Sequence, residues 1–447
     1  MDNPRKVLII SYHFPPDAEV GGLRAQKFAK YLPLFGWTPF VLSVNEKYYC
    51  QRDEERCRDL NCLVVRTRIL LSLREAYLIT KKLIHLCLKN GRTPQLQSMQ
   101  HKESELQLHE RSVSSLKRFI LPFLWVPDDR TGWIIPAVIR GLKLIKKCKI
   151  DTILTTSPPH SVQIIGLLLK KISKKTWVVD FRDPWTLSFG KEIRFIHKMH
   201  RWLEKKVVEK SDVVITATDL VRQGYMKIFP NLPSKKFVCI PNGFDVEDFD
   251  IARKSRSSNQ DKFIISYLGE FYLGRTPEFF LKAMSDLTKE GNVAIDRLRI
   301  RFIGRVRQFG GRLLYDLVSE LRLSPVTEIS DPVPYFKAIE YMVESDVLLV
   351  FSPQPFFQPT KVFEYMAARA HIIAFTAPGA LADLVSRYPK GIVVDYDDVE
   401  GAKKAMNFCY ERFLNGEKIS ELDRTRIDNF LLEYERRNLT KQLSAYL

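Results

Sequence analysis

The sequence predicts an α/β protein built from two doubly wound parallel-sheet units. Three observations carry this. Short apolar runs of strand length alternate with segments of helical periodicity, the pattern of parallel sheets covered on both faces. The alternation lapses over the polar stretch 250–262 and then restarts. At 447 residues and 45% hydrophobic content, the chain is too long for one core and apolar enough for two.

In the first half, strands are expected at 6–11, 40–44, 63–67, 152–156, 177–181, 213–216 and 237–240. Each is a run rich in Val, Ile, Leu, Phe or Thr bounded by polar or turn residues. Helices are expected at 24–35, 134–147, 162–173 and 192–210, where apolar residues recur at helical spacing. After the linker, strands are expected at 263–268, 298–303, 326–329, 346–351 and 371–375. Helices are expected at 277–287, 312–321, 335–343 and 360–369, and a helical stretch at 423–447. The division is therefore 1–249, a linker at 250–262, a second domain at 263–422, and a C-terminal segment. Residues 92–115 are rich in Gln, Ser, Glu and His and read as a mobile insertion.

The net charge of +18 calls for an anionic partner. The basic residues are dispersed and no nucleic-acid motif is present, so nucleic acid is not expected as that partner. The segments 69–88 and 116–125 mix apolar and basic residues and read equally as a surface lying on an anionic membrane and as a helical hairpin packed on the first domain. The 194–210 segment reads first as a solvated charged face over a core stripe, with membrane docking as the sharper alternative. No apolar run reaches the roughly 20 residues of a spanning helix, and 6–11 is too short for the core of a leader. The expected location is cytoplasmic, peripheral on the inner membrane face. Seven dispersed cysteines lack metal-ligand spacing and read as reduced thiols. No cofactor and no metal are expected.

Ligands of such sheets bind beyond the carboxyl ends of strands, so the loops there are the candidates. Gly21 and Gly22 precede a helix and let backbone N–H groups approach an anion. His160 ends Ser157-Pro-Pro-His and is presented at a strand-to-helix turn. Asp180-Phe-Arg-Asp-Pro-Trp185 ends another strand. Its charges read equally as an internal salt-bridge network, and Asp183 and Trp185 as cleft residues, the indole stacking on a sugar or lipid. Arg275 follows a glycine just before a helix and suits a diphosphate. Lys361 and Glu364 lie one helical turn apart at the start of the 360–369 helix, cation first and carboxylate deeper. Each motif alone is a weak signal.

Together these motifs resemble glycosyltransferase family 4, of the bacterial polysaccharide type. The matching stretches are Gly21-Gly22-Leu-Arg24 with Phe35-Gly36-Trp37, Ser157–His160, Asp180–Trp185, Pro241-Asn-Gly-Phe-Asp245, Leu268-Gly269 through Arg275, and Pro359-Thr-Lys-Val-Phe-Glu364. The resemblance spans nearly the whole chain. It implies the GT-B fold, in which two Rossmann-like domains face a cleft. It also implies a metal-independent enzyme that moves a hexose from a nucleotide-diphosphate sugar to a lipid-linked or polysaccharide acceptor, with retention of configuration. By resemblance, Arg275 and Lys361 hold the diphosphate and Glu364 accepts the ribose hydroxyls. Residues around Val333 meet the base, Gly21 and Gly22 face the phosphates, and His160 the sugar. The catalytic set is then His160, Arg275 and Lys361. Two positions depart from the family pattern. Phe356 stands where the first Glu of an E-x7-E pair is frequent, and Glu270 stands where an Arg is frequent. These departures keep open a non-catalytic assembly protein of the same fold, and a nucleotide-sugar epimerase is a third reading.

Overall fold

The computed structural model describes residues 4–58, 60–70, 126–187, 194–254, 261–272, 274–416 and 420–447. Among these the strands form two parallel sheets and one small hairpin. The first sheet has the order β3-β2-β1-β4-β5-β6-β7, with β1 Arg5–Ser11, β2 Trp37–Val44, β3 Leu63–Thr67, β4 Thr152–Ser157, β5 Thr176–Phe181, β6 Val213–Thr216 and β7 Phe237–Cys239. Its central strands are buried along nearly their whole length, as both faces are covered. One face packs on α2 (Ile134–Cys148), α3 (Ser161–Ser173), α4 (Arg194–Lys210) and α5 (Asp219–Ile228). The other packs on α1 (Leu23–Tyr31).

The second sheet has the order β12-β9-β8-β13-β14-β15. Its strands are β8 Phe263–Glu270, β9 Leu298–Arg305, β12 Thr327–Ser330, β13 Val347–Ser352, β14 His371–Thr376 and β15 Gly391–Val394. One face carries α7 (Glu278–Lys289), α8 (Leu314–Glu320) and α12 (Val399–Leu414). The other carries α6 (Val246–Lys254), α9 (Tyr335–Glu344), α10 (Lys361–Ala368), α11 (Ala380–Arg387) and α13 (Glu421–Leu432). In both sheets the strand order reverses beside the first strand, between β1 and β4 and between β8 and β13. The loops leaving those strands therefore splay apart and open a crevice.

Most elements lie where the sequence pattern puts them; the differences have local causes. The first helix stops at Tyr31 and tightens to a 3-10 turn over Leu32–Phe35. Pro33 lacks the N–H that an α-helix would need there. Strand β2 starts three residues earlier than expected, in spite of Pro39. Pairing with β3 begins only at Phe40, so Pro39 withholds no ladder bond on that side. The expected helix at 312–321 begins instead as a hairpin of β10 (Gln308–Phe309) and β11 (Arg312–Leu313). Gly310 and Gly311 both take positive φ, 52° and 83°, as a two-residue I′ turn requires. Residues 250–254 are the end of α6 rather than linker. The C-terminal stretch is two helices, α13 and α14 (Arg436–Ser444). The second returns to the first domain, with Leu439 and Leu443 among Val7, Phe28 and Trp37. The insertion at 92–115 and the segments 71–88 and 116–125 lie outside the described residues.

Candidate active site

The loops after β1, β4 and β5 face those after β8, β9 and β12, together with the β13–α10 loop, across a cavity of about 1080 Å³. That is just above the usual size of small-molecule sites, roughly 300–1,000 Å³. Lys361 opens α10 after the N-cap Thr360, whose side chain makes no cap, while the Val362 and Phe363 N–H groups donate to the Pro359 and Thr360 carbonyls at 3.0 and 3.2 Å. What the helix start offers a ligand is the positive end of its dipole and the lysine itself. The Lys361 amine donates to the Leu268 carbonyl at 2.6 Å and stands 3.9 Å over the Tyr267 ring. Gly269, next to last in this strand, takes φ +150°, a conformation that glycine adopts freely, and a Cβ there would come within 2.1 Å of that amine. Arg275 is buried beneath the Tyr272 ring, 4.2 Å from its centre, with Nε unpartnered. Burial and the Arg275 guanidinium hold the Lys361 amine well below its usual pKa; Glu364 and Glu270 offset this only in part. No ion pair to a carboxylate is formed by Lys361 or Arg275 among the described residues. An arginine and a lysine facing one cavity without a carboxylate partner make a site for an anion, whose charge would also favour the protonated amine.

Glu364 lies one turn further into α10 and is 7% exposed. Burial raises its carboxyl to about 7, against the pull of Arg436 and Arg56. Val333 lines the cavity with Pro332, Pro334, Ala338 and Met342, an apolar stretch of its wall. Tyr335 ties the two domains below it: its N–H donates to Asp53 at 3.1 Å and its hydroxyl to Asp248 at 3.1 Å.

From the first domain come Gly21, His160 and Asp183. Burial lowers the His160 imidazole to about 3, so it meets a ligand as a neutral ring. The Asp183 carboxyl is raised by burial, although Arg182 and Arg275 pull it down. Two expectations need correction. Trp185 does not face the cleft. It is wholly buried, its ring stacks on His160 at 4.6 Å and its N–H donates to His200 at 2.9 Å. It holds the imidazole in place and offers no face to a ligand. Gly22 is buried behind the cavity wall, packed on His13, and Gly21 alone of the pair reaches the cavity.

The salt-bridge network read into 180–185 exists with a different partner. Asp180 is gripped by Arg24 through two bonds of 2.9 Å and accepts from Thr156 at 2.7 Å. Arg24 also donates to the carbonyls of Ile240 and Pro241, so it pins the interdomain segment. Arg182 is left to the cavity: it bonds the Ser157 and Pro158 carbonyls, and Nη1 has no partner. Sequence reasoning missed Arg182, Asp128, Arg130 and Arg436 as wall residues. For Arg436 no local pattern could have found it, since the chain turns back only after α13. Its guanidinium is buried with Nη1 unpartnered, and burial lowers it to about 10.

Among the described residues no group of three metal-type side chains gathers, and no helix is long and apolar enough to cross a membrane. Two parallel Rossmann-like sheets with a ligand-sized cleft between them define the GT-B class of glycosyltransferases. Comparison with known proteins gives the family. Residues 100–248 match the model Glycosyltransferase Family 4, and residues 248–420 match Glycosyl transferases group 1. The chain thus carries the two domains of a family 4 / group 1 glycosyltransferase. Similar solved structures share the fold at low identity. A glycosyltransferase from Rickettsia africae has TM-score 0.64 at 16% identity, over 99% of this chain and 98% of that one. Sucrose-phosphate synthase from Thermosynechococcus elongatus has TM-score 0.63 at 15%, over 99% and 98%. Anabaena HepE, in complex with UDP and glucose, has TM-score 0.62 at 12%, over 99% and 98%. No curated protein matches.

Proposed function

We propose that this chain transfers a hexose from a nucleotide-diphosphate sugar to a lipid-linked or polysaccharide acceptor, with retention of configuration and without a metal. The observation that carries this is the pair of cations Arg275 and Lys361, without carboxylate partners, at the N-terminus of α10. In the transfer, the bond from the anomeric carbon to the diphosphate breaks, a bond to the acceptor oxygen forms, and the acceptor hydroxyl gives up its proton to the departing diphosphate. Negative charge develops on the departing diphosphate, and the fixed cations and the positive end of the α10 dipole stabilise it where it appears. In this reading Glu364, one turn deeper, accepts the ribose hydroxyls, and the apolar wall around Val333 meets the base. Neutral His160 and Asp183 face the remaining space, where the sugar and acceptor hydroxyl meet. The UDP and glucose bound to the structurally similar HepE are consistent with such a donor.

Thermal-shift titration with UDP, GDP and their sugar conjugates tests this, with wild type against Arg275→Ala. A ligand at ~100 times its dissociation constant stabilises by about 2.7 kcal/mol. A shift with one base, lost in the variant, is expected. No shift with any nucleotide would leave the assembly-protein reading standing.

A further inference from the structure

We infer that the outer face of α2, α3 and α4 docks on an anionic lipid surface. These three helices lie side by side on one face of the first sheet. Residues 134–149, 161–175 and 195–210 contain fourteen Lys and Arg against two carboxylates, Glu204 and Glu209. Glu204 does not face outward; it is buried on Thr186 and Tyr225. Arg140, Lys143, Lys171, Lys174, Lys198 and Arg201 are all exposed. A net +12 in a chain of +18 is thus gathered in one layer.

Charge alone would fit several partners. The apolar side chains among these cations decide between them. Ile135, Ile139, Ile172 and Trp202 are 62%, 52%, 57% and 59% exposed, although each helix buries another side in the core. Phosphate backbones have no use for protruding isoleucines. A bilayer interface takes up aliphatic side chains, seats indole rings at headgroup level and attracts the surrounding lysines.

The face is also connected to the cleft. Helix α2 follows the wall residues Asp128–Arg130, α3 begins after His160, and α4 follows the loop that carries Arg182 and Asp183. Docked this way, the protein holds its cleft rim close to the headgroups. That consequence for acceptor delivery rests on the proposed transfer; the docking itself does not.

The test is co-sedimentation of the full chain with phosphatidylcholine vesicles, with and without phosphatidylglycerol. Binding is expected only with the anionic lipid, and weakened by salt. Each Lys near such a surface is worth roughly a fivefold change in affinity. The triple variant Lys143→Gln, Lys171→Gln, Lys198→Gln should therefore bind on the order of a hundredfold more weakly. Four other tryptophans, Trp37, Trp133, Trp177 and Trp185, are buried. A blue shift of emission on adding anionic vesicles should therefore shrink in Trp202→Phe. Nucleotide-induced thermal shifts of these variants should match wild type, which separates loss of docking from loss of fold or of the donor site. Equal binding to neutral vesicles, no binding to either, an unaltered triple variant, or stronger binding to duplex DNA than to anionic vesicles would each overturn the inference.

Discussion

Replacing Glu364 by Gln should make the nucleotide-free protein more stable at pH 8 and bind nucleotide worse. The carboxyl is 7% exposed and its pKa is raised from 4.5 to about 7, with burial as the largest cause. A raised acid is a cost of ionisation in the folded state. Folding takes up a proton between pH 4.5 and 7, so stability falls as pH rises through that window and stays lowered above it. With 1.36 kcal/mol per unit, the cost grows from about 1 kcal/mol at pH 5 to about 3 kcal/mol at pH 8. Glutamine keeps the shape and carries no charge. Chemical denaturation of wild type and Glu364→Gln at both pH values reads the difference: little gain at pH 5, and a gain approaching about 3 kcal/mol at pH 8. A UDP-sugar titration of the same proteins should show weaker binding by the variant, because an amide accepts fewer hydrogen bonds from a diol than a carboxylate does. A variant less stable than wild type at pH 8 would refute the reasoning. It would mean that Arg436 and Arg56 outweigh burial and that Glu364 is a structural ion-pair partner.

Three further outcomes follow from the same geometry. Lys361→Met should raise the melting temperature of the nucleotide-free protein by relieving repulsion with Arg275, and lower UDP affinity by roughly ten- to a hundredfold, the worth of one charge-assisted contact. UDP-sugar affinity should be bell-shaped in pH, falling below about 7 as Glu364 is protonated. It should fall again as pH rises and Lys361 loses, earlier than an ordinary lysine, the proton that a bound diphosphate would retain; Glu364→Gln should remove the lower limb and Lys361→Met the upper one. Arg24→Ala leaves Asp180 buried and unpaired and should destabilise by about 3–5 kcal/mol in denaturant melts.

The fold was legible because its signals are local. Buried parallel strands read as unbroken apolar runs, and helix faces as 3.6-residue spacing. The site was legible where a loop directly follows its strand, as for Arg275, Lys361 and Glu364. It was illegible where geometry depends on distant chain. Trp185 sits in a loop that borders the cleft, yet the packing of α4 and α5 turns its ring inward onto His160 and His200. Arg24 meets Asp180 across 156 residues. Gly243 reads as a turn residue beside Asn242. In the structure a Cβ there would meet the Tyr434 carbonyl at 2.0 Å, so its role is close approach to the returning C-terminal segment.

The two departures from the family pattern also acquire a physical reading. Glu270 is exposed enough to pair with Arg305 at 3.7 Å, and Arg305 reaches Glu19 of the first domain at 3.9 Å. Phe356 belongs to the second domain's Pro-rich loop, yet it packs against the first domain's core cluster that includes Trp185, Val207 and Tyr225. Phe356 thus makes a contact between the two domains, and Glu270 pairs with an arginine that makes another. Introducing the family's carboxylate at Phe356 should therefore impair turnover. Phe356→Glu would press a charge against an apolar surface and weaken the closed cleft. Phe356→Leu keeps the apolar contact and should act like wild type. The expected pattern is nucleotide affinity close to wild type in both variants, with turnover lost only in Phe356→Glu, since closure aligns the acceptor after the donor has bound. Higher turnover in Phe356→Glu would show instead that the position still faces the donor sugar.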